Sequence, residues 1–466
     1  MATIGGASTA AGSTQNDAAP DFRISPETYT TVDTLIKTTK DLVIPELTET
    51  FGEQGITGFL KLTGAVTSGG SSDQVDWWEA GRRHKTLAYE NAPSHSGTTS
   101  ITLDDDAVKQ GVQVNDVVMD ADSGVRFIVK AGGFATGTGV NVVLVRLDDA
   151  VTVTGDLQSG GGTLIKLGNM YAQGTNQPVA FDETDAVRRS NPFMIVKGRH
   201  EVNGSQATNI GWVNVGGGEY RWFMYAEQEA RKRFEDRREM MMLFGEKHDG
   251  GAGAALDNDI AGSEGYFSAV ESRGINVTNA NANPLDSFAE FDDIIIELDK
   301  QGAPAEYAMY VNRKQDLAID DMLASGIATG VTAGLPGQFG AFQNNADMAV
   351  NLGFKSFTRG GYTFHKHDWK LLNDPTLLGA TTKFQGAMVP LANVVDQRTG
   401  NSAPSLSLYY KEANGYSREM EHWVTGGGVL GHNNNGDLGT DQAVFHYRSE
   451  VALCVRAANQ HVILKG

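Results

Sequence analysis

His365 and His367 stand two apart with Asp368 beside them, a spacing that puts both imidazoles on one side of a strand and could begin a metal site. No third histidine lies near them in sequence, so a pair of surface or half-buried histidines is expected in place of a ligand set. Two acidic groups, Asp104, Asp105, Asp106 and Asp120, Asp122 with Gly124, have the composition of calcium loops. Neither carries the closing glutamate at the required spacing, which leaves acidic turns. Glycine triplets at 160–162, 216–218 and 426–428 match neither the dinucleotide fingerprint nor a phosphate loop with its Lys and Ser/Thr, so they are read as hinges or turns. Cys454, the one cysteine, excludes an intrachain disulfide framework, and with no base assigned to it the thiol is expected to be an inert small residue. No G-x-S-x-G elbow occurs. No catalytic residue, metal or cofactor is assigned.

The elements that would position such residues follow from composition and punctuation. A chain of 466 residues with 20% charged residues is long enough for two or three packed units. Its 56 glycines and 12 prolines, with abundant Thr and Val, point to many strands and turns. A formal net charge of −19 argues against a surface that grips nucleic-acid backbones, because that affinity comes from clustered Lys and Arg displacing counterions. The first 20 residues are mostly Ala, Gly, Ser and Thr with almost no charge, no basic start and no apolar core, unlike a secretory signal. No apolar run reaches the roughly 18 residues of a membrane span.

Along the chain, residues 1 to about 20 read as a mobile arm, and Ser25 to Thr50 as an amphipathic segment with Val32, Leu35, Ile36, Leu42 and Val43. An extended limb follows, carrying Phe59, Leu60, Val75, Trp77 and Trp78 before the basic cluster Arg82, Arg83, His84, Lys85, and resuming later through Phe193, Ile195 and Val202. Within it, residues 98–167 form a Gly- and Val-rich block of short alternating runs, expected as a small inserted β-barrel or sandwich. A helix over 284–301 shows Leu285, Phe288, Phe291, Ile294, Ile295 and Leu298 on one stripe and stops at Gly302. Tyr307, Met309 and Val311 then alternate as a strand, and Arg313 to Ser325 predicts a helix through Leu317, Ile319, Met322 and Leu323. Val350, Leu352 and Phe354 run toward a Gly360-Gly361 turn with Tyr362 and Phe364 returning. Asn414-Gly415 marks a second hairpin, and Phe445, Tyr447, Val451, Leu453 and Val455 alternate along a closing strand.

The most informative element is an uninterrupted helix over 219–246. Tyr220, Phe223, Met224, Ala230, Phe234, Met241 and Phe244 recur at helical spacing, with charge on the other faces. Glu227 with Arg231, Glu229 with Arg233 and Lys232 with Asp236 stand four apart, each such pair adding roughly 0.2–0.5 kcal/mol.

This order of parts resembles the Hong Kong 97-type fold of tailed-phage major capsid proteins. The likeness is carried by GGEYRWFMYAEQEARKRFEDRREMMMLFGE as a spine helix, AEYAMYVNRKQDLAIDDML as the start of an axial domain, NLGFKSFTRGGYTFHKHDWKLLNDP as its hairpin and YRSEVALCVRAANQHVILKG as the closing strand. It implies an α+β chain divided into an N-terminal arm (1–54), an extension loop (55–97 and 168–210), an inserted β domain (98–167), a peripheral domain with the spine helix (211–302), an axial domain (303–403) and closing strands (404–466). It further implies self-assembly as pentamers and hexamers into an icosahedral shell around double-stranded DNA without sequence-specific binding. A separate scaffolding protein, a portal and decoration proteins would be partners, no membrane is involved, and assembly would occur in the host cytoplasm to give a virion capsid.

A shell subunit needs limbs that cross onto its neighbours. Trp77, Trp78, Arg82 and Arg83 on the limb, and Arg231, Arg233, Glu235 and Arg237 on the spine, are the candidate inter-subunit residues, since Trp and Arg most often dominate interfaces. A reading of another class is a β-rich carbohydrate-binding or glycoside-hydrolysing protein, with Trp77, Trp78 and Trp423 stacking on sugars and Glu419 and Glu421 as paired acids.

Overall fold

The computed structural model describes residues 65–91, 98–104, 110–133, 139–148, 157–158, 160–178, 184, 186–205, 222–249, 260–278, 284–332, 356–380, 383–395, 400, 402–426 and 442–466. The arm expected over 1–54 lies outside them, as do Asp105, Asp106, Val350, Leu352 and Phe354. The chain divides into two units, a smaller one of Met1–Glu53, Arg199–Arg233 and Trp423–His446 and a larger one of Gln54–Gly198, Phe234–His422 and Tyr447–Gly466.

In the larger unit a six-stranded sheet runs in the order Ile275–Thr278, Val462–Lys465, Gly386–Pro390, Glu306–Val311, Tyr362–Asp368, Ser356–Arg359. Its central strand, Glu306–Val311, is parallel to Tyr362–Asp368 and antiparallel to Gly386–Pro390. The expected alternation is half of what this strand does, because every residue after Glu306 is buried. Tyr307, Met309 and Val311 face one core with Leu285, Phe291, Ile294, Leu298, Ile319 and Met322. Ala308 and Tyr310 face a second core with Tyr266, Phe267, Trp369, Leu371, Val451 and Leu453. A strand covered on both faces has no solvent side to mark with polar residues.

The helices are α1 (Trp222–Phe244), α2 (Tyr266–Arg273), α3 (Phe288–Lys300) and α4 (Arg313–Thr332). Helix α3 keeps the predicted stripe, with Phe291, Ile294 and Leu298 buried. It begins where Glu290 Oε2 accepts from the backbone N–H groups of Asp286 (2.7 Å) and Ser287 (3.2 Å), occupying donors that a helix start leaves without partners. It ends at Gly302, which turns with φ +62°. Helix α4 runs past the expected Ser325 to Thr332, and Leu317, expected on its inner stripe, is exposed. Its inner side carries Gln315 and Asp316 beside Ile319 and Met322, because Gln315 bonds the backbone of Leu285 and Asp316 pairs with Lys366. Both predicted two-residue turns form, Gly360 and Gly361 at φ +59° and +86°, and Asn414 and Gly415 at +52° and +79°.

The block expected at 98–167 is a closed barrel in the order Thr86–Asn91, Thr98–Leu103, Val140–Arg146, Arg126–Ala131, Asp116–Asp120, Gly162–Asn169. It takes in one strand, Thr86–Asn91, ahead of the expected start. Leu87, Tyr89, Ile101, Leu103, Val118, Phe127, Val129, Val142, Leu144 and Leu164 fill it. Tyr89 donates to Asp120 Oδ1 at 3.0 Å, and burial pushes its phenol up to about 12. Asp120 Oδ2 accepts from Ser123 N–H at 2.8 Å, so Asp120, Asp122 and Gly124 (φ +70°) make the tight turn expected of them. In the triplet at 160–162, a Cβ on Gly161 would lie 2.7 Å from Glu90 O, so glycine there permits close approach of two barrel strands.

A five-stranded sheet takes Ala65–Ser68, Leu406–Tyr410, Gln442–Val455 and Met194–Asn203 in order, with Glu421–Gly426 also paired to Gln442–Val455. Helix α1 is described from Trp222, the predicted start at 219 lying outside the described residues, and ends two before 246. Of its expected stripe Phe234 is buried, stacked 5.7 Å from Tyr447 over Gly198, where a Cβ would come within 2.9 Å of the ring. Met241 is exposed and Phe244 half-buried, while Met242 and Leu243 take the inner places. Within a run of three methionines and a leucine, composition cannot choose the inward pair; packing does. Tyr220, Phe223 and Met224 fall outside the residues whose side chains are described. In the smaller unit Trp423 stacks on His446 at 5.0 Å, and Thr425 Oγ1 lies 2.8 Å from His446 Nε2.

His461 is fully buried with Nδ1 3.2 Å from the Tyr266 hydroxyl, and burial pushes it from the usual 6.5 down to about 3, against a hydrogen bond with the Arg456 backbone. Below 6.5 the unfolded chain binds a proton that the folded chain refuses, so stability falls as pH drops toward about 3. Denaturant titrations across this range should show His461→Gln with a flatter pH dependence than the wild type. Parallel curves would refute the assignment.

Candidate assembly surface

The stretches expected as a limb contain a two-stranded antiparallel ribbon of Gln74–Ala80 and Ala186–Pro192, pairing Trp77 with Arg189 and Trp78 with Arg188. Side chains alternate across a strand, so the two adjacent indoles point to opposite faces. Val75, Trp77 and Glu79 share the inner face with Arg189 and Asn191. Trp77 is 6% exposed and donates its indole N–H to Glu79 Oε1 at 3.1 Å. The same oxygen accepts from Ala457 N–H at 3.2 Å, at a residue held at φ +51°, and the other carboxylate oxygen lies 3.4 Å from Arg189 Nε. Asn191, 1% exposed, donates to Leu453 O (2.6 Å) and Glu264 O (3.0 Å) and accepts from Glu264 N–H (2.7 Å). Lys411 adds an ion pair to Asp73 at 2.5 Å. The inner face is thus tied down by hydrogen bonds as well as by apolar burial.

The outer face carries Asp76, Trp78 and Arg188. Trp78 is 66% exposed, and Arg188 beside it pairs with Asp76 at 2.6 Å. An indole presented to solvent next to a partly spent guanidinium offers large apolar area with polar handles at its rim.

The other candidates separate by role. Arg82 donates to Lys300 O and, at 3.5 Å, to Gln301 Oε1, so its guanidinium serves the carbonyl end of α3 within the chain. Arg83 is exposed. On α1, Arg231, Arg233 and Arg237 are exposed and Glu235 is half-buried, and Arg233 pairs with Glu229 as the spacing predicts. Sequence reading missed Glu79, Arg188, Arg189 and Asn191. Their partners across the ribbon are over a hundred positions away, so only Arg188-Arg189 opposite Trp77-Trp78, two doublets of alternating face, hinted at the pairing.

The candidate chemistry disperses. His367 lies 5.4 Å from the Tyr310 ring and is lowered by burial and then by His365, and among the described residues no three His, Cys, Asp or Glu side chains gather to hold a metal. Burial pushes the Cys454 thiol up to about 12, which suppresses the thiolate. Trp77 is sealed, and Glu421 is held by Arg448, so neither is free for sugar chemistry. No described helix is long and apolar enough to cross a membrane.

No protein-family model matches this chain, and no curated protein matches it. Among solved structures it is similar to a chain of "Gordonia phage Cozz", at 9% identity over 96% of this chain and 99% of that one, with a TM-score of 0.44. It is also similar to chains of the bacteriophage PhiM1 mature capsid (8% identity, 95% of this chain and 96% of that one, TM-score 0.41) and of the cyanophage P-SCSP1u capsid (7%, 95% and 96%, 0.42).

Removing the acceptor that serves both the Trp77 indole and the Ala457 amide strands two partly buried donors, so Glu79→Ala should lower unfolding free energy by roughly 1–3 kcal/mol. Glu79→Gln, which retains an acceptor oxygen, should lose less. Chemical denaturation of both variants tests this; equal losses would contradict it.

Proposed function

We propose that this chain is the major capsid protein of a tailed double-stranded DNA bacteriophage, assembling through its limb and spine as pentamers and hexamers into an icosahedral shell. The observation that carries the proposal is the ribbon Gln74–Ala80/Ala186–Pro192: one face is fastened to its own subunit by Glu79 and Asn191, and the opposite face presents Trp78 with Arg188 to solvent. A self-sufficient monomer gains nothing from holding an indole outward on a fixed strand. A tile that must grip its neighbour does, since Trp and Arg at the centre of an interface contribute about 2 kcal/mol or more each.

The parts take the following roles. Residues 55–97 and 168–210 are the extension loop carrying the barrel, α1 is the spine along which Arg231, Arg233, Glu235 and Arg237 meet neighbouring subunits, and 303–403 form the axial domain. A separate scaffolding protein, a portal and decoration proteins complete the assembly in the host cytoplasm. The balance of charge, −19 overall, suits a wall that encloses DNA without binding its sequence. No turnover is involved.

Trp78→Ala should leave the subunit folded, with an unchanged circular dichroism spectrum and unfolding midpoint, and abolish shells in electron micrographs. Normal particles from that variant would remove the ribbon from the interface. A small discrete species of the wild-type chain on size exclusion, with no larger assembly at any salt concentration, would remove the capsid assignment itself.

A further inference from the structure

Lys366 lies on the central sheet in register with Met309, on the face of the core that also holds Phe364 and Ile319. Its side chain is 5% exposed, and Nζ lies 2.8 Å from Asp316 Oδ1 and 2.5 Å from Asp320 Oδ1. The two aspartates stand four apart on α4 and so project from one face of the helix toward the strand. Their environments differ. Asp316 is buried, and its second oxygen accepts from Arg313 Nη1 at 2.9 Å. Asp320 stands nearer the surface, its side chain 20% exposed, and makes the shortest approach to the amine.

The geometry points to an intrachain amide bond between Lys366 Nζ and Asp320 Cγ, with Asp316 as the base. A buried ion pair loses the hydration of both ions, and transferring one proton from ammonium to carboxylate removes both charges at once. The pair that remains is a neutral amine against a neutral carboxylic acid, held at hydrogen-bond distance by strand and helix, the positioning that makes an intramolecular reaction fast. Attack by the Nζ lone pair forms the Nζ–Cγ bond. Asp316 accepts the surplus proton from nitrogen and returns it to the departing hydroxyl, the Cγ–O bond breaks, and one water leaves by the exposed side of Asp320. The sum is ammonium plus carboxylate giving amide plus water, with no oxidant, nucleotide or metal. The bond would join α4 covalently to the strand Tyr362–Asp368, and it is independent of whether the chain assembles.

Mass spectrometry of the purified full-length chain after tryptic digestion decides the matter. Peptide 360–370, uncut after Lys366, should appear joined to peptide 315–355 at the summed mass less one water, with fragmentation placing the link on Asp320. Lys366→Met should lose the joined species, Asp316→Asn should leave the two peptides separate, and Asp320→Asn should form the same link with loss of ammonia in place of water. Separate, unmodified peptides from the wild-type chain would overturn the proposal, as would a link placed on Asp316. The wild-type digest is decisive even if a variant fails to fold.

Discussion

The larger unit depends on one constraint: Glu306–Val311 must be apolar on both faces, because it is the partition between two cores. On one side α3 and α4 cover Tyr307, Met309 and Val311; on the other, α2, Trp369 and the closing strand cover Ala308 and Tyr310. Gly386–Pro390 and Val462–Lys465 obey the same rule, with Met388, Val462 and Leu464 on the first side and Ala387, Val389 and Ile463 on the second. A polar side chain at one of the buried positions of this sheet must bring its partners with it. Lys366 does, drawing Asp316 and Asp320 inward on α4.

The exposed face of the ribbon rests on that inward rigidity. The ribbon is held along its length by bonds to Leu453, Glu264 and Ala457, all from segments packed on or beside the second core. Trp78 can therefore be held in a fixed direction while remaining exposed. An interaction surface on a fixed strand loses little conformational freedom when it meets a partner, whereas the same indole on a loose loop would lose much of its binding free energy to ordering.

What could be read from the residues was local. The Gly360-Gly361 and Asn414-Gly415 turns, the stripe of α3 and its Gly302 stop are set by neighbours a few positions apart, and all are found where the spacing puts them. The barrel was legible as a block of alternating runs, but its sixth strand was not, since Thr86–Asn91 is recognisable only by pairing with Gly162–Asn169. Leu317 and Met241 were misplaced for one reason: helical periodicity allows several inner faces, and the choice is made by distant partners such as Leu285 for Gln315 and Lys366 for Asp316. At the ribbon, the two indoles were visible as residue types but not as one anchor and one outward group, because that division depends on a strand over a hundred residues away.

The barrel has a topological consequence of its own. Its first strand, Thr86–Asn91, and its last, Gly162–Asn169, are paired neighbours, so the polypeptide enters and departs at adjacent points of a closed cylinder that exposes no free strand edge. A module attached in this way can be enlarged, exchanged or deleted over evolutionary time while the ribbon beneath it keeps its geometry. Changes in the size of the barrel thereby leave the separation of its two connections to the ribbon unaltered.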